Sequence, residues 1–98
     1  MTGFKTDSYG KWIEKSPSAI LDYSFDWSDW LQAGETIATS VWTATSGVTI
    51  TDSGNSPTMT TVWLAGGILP REYVVTNKIT TTGGRQDERA FRVIIKKR

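Results

Sequence analysis

The chain has 98 residues, no cysteine, no histidine and a formal net charge of +1 at pH 7. A chain of this length supplies one hydrophobic core, and without cysteine it has neither a disulfide framework nor a thiolate metal site. Without histidine it lacks the commonest general base, the commonest metal ligand and the usual partner of a serine nucleophile. Histidine-dependent catalysis is therefore excluded.

Residues 1–19 are predicted to form an extended arm, because their apolar side chains follow neither the period of a strand nor that of a helix. These side chains are Phe4, Tyr9, Trp12 and Ile13. The stretch lacks the apolar segment of a signal peptide, and no part of the chain approaches the roughly 20 apolar residues of a membrane span. We therefore expect synthesis in the cytoplasm, no membrane partner, and an arm that contacts another protein.

Residues 20–98 are predicted to form one antiparallel β-sandwich domain. Threonine, serine, β-branched and aromatic residues alternate along short segments that Gly, Asn and Pro separate. A spacing of about eight to twelve residues between segments is typical of a sandwich. Gly83-Gly84 is a turn signal that joins the last two strands as a hairpin. The predicted strands are residues 20–27, 36–45, 48–51, 59–64, 73–82 and 91–97.

The core is predicted from the alternating positions of these strands. In the second strand Ile37, Val41 and Trp42 cannot share one face, which predicts a bulge or a strand packed on both sides. The run Asp52 to Pro57 has the composition of a loop. The predicted core residues are Leu21, Tyr23, Ile37, Trp42, Ile50, Val62, Leu64, Tyr73, Val75, Ile79, Phe91, Val93 and Ile95.

The chain has five tryptophans, and each of them could pack in the core or lie on a contact surface. Trp42 lies in the middle of a strand and is assigned to the core. Trp27 and Trp63 fit either environment. Trp12 and Trp30 lie outside the regular strands, so we predict that they belong to a contact surface, where tryptophan is enriched.

Two aspartates, Asp26 and Asp29, flank Trp27 and could contribute to a calcium site or an acid/base pair. No further carboxylate cluster lies near them in sequence, so we interpret them as caps of the turn after the first strand. The Gly-Gly pairs lack the strand-to-helix context and the lysine of a phosphate loop. The sequence therefore predicts no catalytic, cofactor-binding or metal-ligating residues, and no enzyme.

The charges are divided between two halves of the chain. Residues 20–70 contain five acidic residues and no Lys or Arg, whereas residues 71–98 contain eight basic and three acidic ones. The short basic C-terminus lacks interleaved aromatic residues, so we expect a solvated tail and no specific nucleic-acid partner. Lys78, Arg85, Arg89 and Arg92 of the final hairpin are predicted to form a basic edge. Such an edge suits a salt-dependent, head-to-tail contact with an acidic patch of Asp22, Asp26 and Asp29 on a neighbouring copy.

Two features resemble immunoglobulin-like domains of the fibronectin type III kind. Trp42 comes late in the second strand, and Ile68 to Tyr73 resembles the turn that delivers a tyrosine corner. The resemblance implies an immunoglobulin-like antiparallel sandwich preceded by the arm. It also implies a hydrogen bond from Tyr73 back to the chain upstream.

A closer resemblance covers most of the chain. The resemblance is found in six short sequence segments: Lys15-Ser16-Pro17, Leu21-Asp22-Tyr23, Asp26 to Leu31, Thr36 to Ser40 with Trp42, Thr81 to Arg85, and Asp87-Glu88-Arg89. Together they resemble a family of small tailed-phage proteins described as fibre-tail adaptors. The resemblance implies a virion structural protein of the neck or tail, made in the host cytoplasm. Its expected partners are other phage structural proteins and further copies of itself in a ring.

Two functions are therefore considered. The first is a structural adaptor that acts through protein contacts, with Phe4, Tyr9, Trp12, Ile13, Trp30, Arg85, Arg89 and Arg92 as the candidate interaction residues. The alternative is a carbohydrate-binding sandwich that uses Trp12, Trp30 or Trp63 as an exposed platform.

Overall fold

The computed structural model describes residues 5–7 and 10–96, and its regular elements are β-strands. Among these residues no helix is long and apolar enough to cross a membrane. The strands are β1 (Lys5–Asp7), β2 (Gly10–Lys15), β3 (Leu21–Asp26), β4 (Ile37–Ala44), β5 (Val48–Asn55), β6 (Met59–Gly66), β7 (Glu72–Thr81) and β8 (Gln86–Ile95).

The strands form two sheets in a sandwich-like arrangement. The five-stranded sheet has the order β1-β2-β8-β7-β4, and the three-stranded sheet has the order β3-β6-β5. Neighbouring strands are antiparallel except for β2 and β8, which run parallel. The prediction of an all-β sandwich is therefore confirmed, and the six predicted strands correspond to β3 through β8.

The structure confirms the predicted bulge and hairpin but not the whole of the predicted loop after residue 51. The register of β4 shifts between Ile37 and Thr39, which confirms the expected bulge. The β7–β8 hairpin is present, with Gly84 at a φ of 84°. The predicted loop after residue 51 is wrong in its first part, because β5 continues to Asn55 through a second shift between Ile50 and Asp52. Pairing with β6 overrides the turn composition there.

The core lies between the sheets and contains most of the predicted residues. Trp42 and Ile50 are only partly buried against it. Leu21 is 38% exposed, so its assignment to the core is wrong. It is the first residue of β3, an edge strand. The core also contains four side chains that the sequence analysis did not assign to it: Ile13, Phe25, Trp27 and Val48.

Residues 10–15 lie in the sandwich and not in a separate arm, which corrects the prediction for this part of residues 1–19. As β2 they pair in parallel with β8, with Ile13 opposite Val93. Ile13 is 3% exposed, and Lys15 is fully buried. The Lys15 Nζ donates hydrogen bonds to the carbonyls of Ser16 (2.9 Å) and Gly66 (2.7 Å), and burial lowers the pKa of this ammonium. A buried lysine concealed the strand period, because its position appears polar in the sequence.

The Tyr73 hydroxyl accepts a hydrogen bond from the Ile68 backbone N–H at 3.1 Å, as predicted. Tyr73 is the second residue of β7 and is buried. The bond spans the turn between the two sheets and ties the start of β7 to the beginning of the preceding loop.

A buried polar network joins the sheets. The Trp27 Nε1–H lies 3.2 Å from both Thr60 Oγ1 and Asn77 Oδ1, and the Thr60 hydroxyl donates to Asn77 Oδ1 at 2.6 Å. The Asn77 Nδ2 donates to Ser40 Oγ at 2.9 Å and to the Val41 carbonyl at 3.3 Å. Trp27, Thr60 and Asn77 have no exposed surface. Since a buried polar group without a partner is costly, the network stabilises one mutual placement of the sheets.

Replacing Ile13 tests whether β2 is part of the folding unit. Ile13→Ala is expected to lower the free energy of unfolding by about 2–4 kcal/mol, because it leaves a cavity in the core. Ile20→Ala is the control, since Ile20 is 59% exposed, and it should change the value by less than about 0.5 kcal/mol. Urea unfolding followed by circular dichroism measures both. Equal effects would show that β2 does not contribute to the stable fold.

Replacing Asn77 tests the network. Asn77→Ala is expected to lower the free energy of unfolding by about 2–4 kcal/mol, because it leaves the Trp27 N–H and the Thr60 hydroxyl without their shared acceptor. Asn55→Ala removes the same side chain from an exposed position in β5 and should have an effect near zero. Thermal unfolding of the two variants gives the comparison, and similar midpoints would contradict the role assigned to Asn77.

Candidate interaction surfaces

The structure does not gather the predicted interaction residues into one surface. Phe4 and Tyr9 lie outside the residues whose side chains are described. Ile13 is buried in the core and is not available for contact, which corrects its assignment. The remaining five lie in three groups: Trp30 with Arg85, Arg89 against Trp27, and Trp12 with Arg92.

Trp30 and Arg85 form a cluster with Glu35 at the end of the sandwich where the β3–β4 loop meets the β7–β8 turn. The Arg85 guanidinium carbon lies 4.1 Å from the centre of the Trp30 ring. Its Nε donates to Glu35 Oε2 at 2.9 Å, and one terminal nitrogen binds Glu35 Oε1. The same nitrogen donates to the Trp30 carbonyl at 3.2 Å. One arginine therefore holds both the loop and the turn.

Glu35 is the electrostatic centre of this cluster, with a side chain that is 6% exposed. Hydrogen bonds from Arg85, from the Gln32 backbone N–H and from the Thr81 hydroxyl lower its pKa from 4.5 to about 2. The Thr81 bond is 2.5 Å long. The carboxylate is thus held ionised, and its donors come from both sides of the junction.

Arg89, four residues further along the chain and within β8, makes a similar contact with a tryptophan ring. Its guanidinium carbon lies 4.0 Å from the centre of the Trp27 ring, and its Nη1 donates to the Asp26 carbonyl at 3.1 Å. The Asp26 carboxylate accepts the Ser28 backbone N–H at 2.9 Å, which chiefly lowers its pKa. The interpretation of Asp26 as a turn cap is confirmed by this bond.

Arg92 and Trp12 lie in register on the outer side of the five-stranded sheet. Arg92 pairs with Glu72 at 3.6 Å, and both Arg92 and Trp12 are half-buried. The hairpin also carries Asp87 and Glu88. Of the predicted basic edge, Lys78 is exposed, whereas Arg85, Arg89 and Arg92 each bind groups of their own chain, so the edge is not open along its whole length.

A different surface appears on the outer side of the three-stranded sheet. Trp63 of β6 is 41% exposed, and its register partners are Asp22 on β3 and Asp52 on β5. The three residues therefore form a row across the sheet, which we call the Trp63 row. An open groove of about 460 Å³ runs beside it, lined by Asp52, Ser53, Gly54, Asn55, Ser56, Met59, Thr61 and Trp63.

The described residues contain no group of three or more His, Cys, Asp or Glu side chains that could hold a metal ion.

Comparison with protein families supplies the deciding observation. Residues 15–94 match the family described as podophage GP4 fiber-tail adaptor protein gp77. The chain belongs to this fibre-tail adaptor family. The match runs from the last residue of β2 into the last strand, so the adaptor region contains the Trp30 cluster, Arg89 and the Trp63 row. No curated protein matches the chain.

The Trp63 row is the feature of this adaptor that sequence reasoning missed. The absence of Lys and Arg from residues 20–70 was the available signal. It could not show which carboxylates flank Trp63, because the row joins residues 11 and 41 positions away along the chain, on two other strands.

The cluster of Trp30, Arg85 and Glu35 predicts a pH dependence of stability. Glu35 has a lower pKa in the folded chain than its ordinary value of 4.5, so its contribution is complete above pH 4.5 and decreases as the pH falls toward about 2. The wild type should therefore be more stable than Glu35→Gln at pH 7, and the difference should shrink between pH 4.5 and 2.5. Urea unfolding at four pH values measures it. Glu88→Gln removes an exposed carboxylate from β8 and serves as the control; a pH-independent difference for Glu35→Gln would contradict the assigned contacts.

Proposed function

We propose that this protein is a structural subunit of a podophage virion, placed in the neck or tail, where it links the tail to fibres or to neighbouring rings. The observation that carries the proposal is the family match over residues 15–94, since the family is one of fibre-tail adaptors. The proposal includes several copies in each particle, arranged in a ring, and a role without catalysis.

The strand order supports an immunoglobulin-like form of the sandwich. Immunoglobulin-like domains place strands B, E and D in one sheet and strands C, F and G in the other. Strands β3, β6 and β5 take the first set of positions, and β4, β7 and β8 take the second. Tyr73 then lies at the start of strand F with its hydroxyl bonded back to Ile68, as in a tyrosine corner. Such a domain presents loops at both ends and is suited to linking neighbours.

An apolar end of the sandwich supports protein contact. The start of β3 pairs with the end of β6, so Ile20 and Leu21 lie at the same end as Ile68 and Leu69, which follow β6. Their exposed fractions run from 38% to 59%. Grouped exposed apolar side chains are typical of a surface that a partner covers.

The alternative, a carbohydrate-binding module, depends on exposed tryptophan platforms. One face of Trp30 is covered by Arg85, and Trp12 is half-buried. Trp63 is the predicted platform that keeps a large exposed fraction. Of the three predicted carbohydrate platforms, Trp63 therefore remains the candidate, and the family match favours the adaptor function.

The adaptor proposal is tested in the particle. Mass spectrometry of purified virions should detect the protein at several copies per particle, and loss of its gene should give particles that lack fibres while their capsid protein content is unchanged. Ile68→Ser with Leu69→Ser should reduce incorporation, because the apolar end would lose its contact. Absence of the wild-type protein from purified particles would overturn the proposal.

A further inference from the structure

The charged residues on the strands of the three-stranded sheet are all acidic. Strands β3, β5 and β6 carry Asp22, Asp26 and Asp52 and no Lys or Arg. Trp63 stands in the middle of the outer side of this sheet, with a carboxylate residue in register on each flanking strand. The face therefore combines an exposed indole with negative charge.

The same chain places an arginine over two of its other tryptophan rings, once with a carboxylate and once with a backbone carbonyl as the second partner. Arg85 stacks on Trp30 and bonds to Glu35, and Arg89 stacks on Trp27 beside the turn of Asp26. A guanidinium suits this chemistry because it is planar, weakly hydrated and able to stack on an aromatic ring while it donates to a carboxylate. At Trp63 the indole and the carboxylate of Asp52 are present, and among the described residues no cation stacks on this ring.

We propose that the Trp63 row docks an arginine presented by the surface of a neighbouring virion protein. The guanidinium lies on the Trp63 indole and donates to the Asp52 carboxylate, while the absence of Lys and Arg from the surrounding strands favours a positively charged partner. This inference rests on the proposed adaptor function, for which it names the face and the chemistry of one partner.

The size of the face indicates how the contact works. Three strands span about 14 Å and eight residues span about 26 Å, which gives roughly 370 Å². A stable complex of two proteins buries about 800 Å² on each partner. The Trp63 row therefore provides the specific centre of a larger contact, to which neighbouring loops contribute, so the experiment includes the assembled particle.

Three variants separate the proposed role from general effects. Trp63→Thr removes the indole and keeps a good strand former. Asp52→Lys reverses the charge beside it. Asp87→Lys is the matched control, because Asp52 and Asp87 are both exposed and each accepts the backbone N–H of the next residue, at 2.8 Å and 2.9 Å. All three are exposed changes and should unfold near the wild-type temperature, which circular dichroism verifies.

In particles, Trp63→Thr and Asp52→Lys are expected to lower the incorporated copies about tenfold or more, as for the centre of an interface. Asp87→Lys should change them by less than about twofold. Incorporation of the first two variants at the wild-type level would overturn the inference while leaving the adaptor function intact. Normal incorporation together with lost adsorption to host polysaccharide would overturn it in favour of a glycan site.

A second arm uses the purified protein and does not depend on its place in the virion. A hexapeptide of alternating Gly and Arg should change the tryptophan fluorescence of the wild type, the change should weaken at high salt, and Trp63→Thr should abolish it. The probes for comparison are the same peptide with Glu in place of Arg, and soluble polysaccharide. A response to polysaccharide and none to the arginine peptide would overturn the inference.

Discussion

The hydrogen bonds among Trp27, Thr60 and Asn77 are the constraint on which the arrangement of the sandwich depends. Two sheets held by apolar contact alone could slide past each other, because hydrophobic burial is not directional. Asn77 lies on β7 and reaches Thr60 and Trp27 across the core, while its amide nitrogen binds back to β4. A displacement of either sheet would leave buried donors without acceptors, so this network specifies how the sheets face each other.

Two arginines of the final hairpin extend this constraint to one end of the molecule. Arg85 covers Trp30 and donates to its carbonyl, and Arg89 covers Trp27 and donates to the carbonyl of Asp26 at the end of β3. They hold the loop against the final hairpin and also neutralise part of the acidic half of the chain. These two arginines, predicted as interaction residues, thus make contacts within the chain. The partner contacts that we propose lie elsewhere, at Trp63 and at the apolar end with Ile68.

The site residues show why a charge pattern is a weak guide to an interface. The separation of acidic and basic halves in sequence predicted a basic edge, but the β7–β8 turn folds against the β3–β4 loop, where Arg85 and Glu35 form an ion pair. The strands that flank Trp63 come from the Lys- and Arg-free half, so the Trp63 row contains two aspartates and no Lys or Arg. Which charged residues lie near each other depends on which strands become neighbours.

The sequence by itself determined the all-β class, the six strands β3 to β8 and the hairpin, which follow from side-chain alternation or from turn chemistry within a few residues. It left open whether β4 has a bulge or packs on both sides, and the bond of Tyr73 was expected only from the resemblance to immunoglobulin-like domains. Only the tertiary structure decided that β2 joins β8, that Lys15 is buried, and that Asp22, Trp63 and Asp52 share a row. These features depend on the register between strands distant in sequence. A slip of one residue would turn every side chain of a strand to the opposite face, and no local pattern specifies the partner that prevents it.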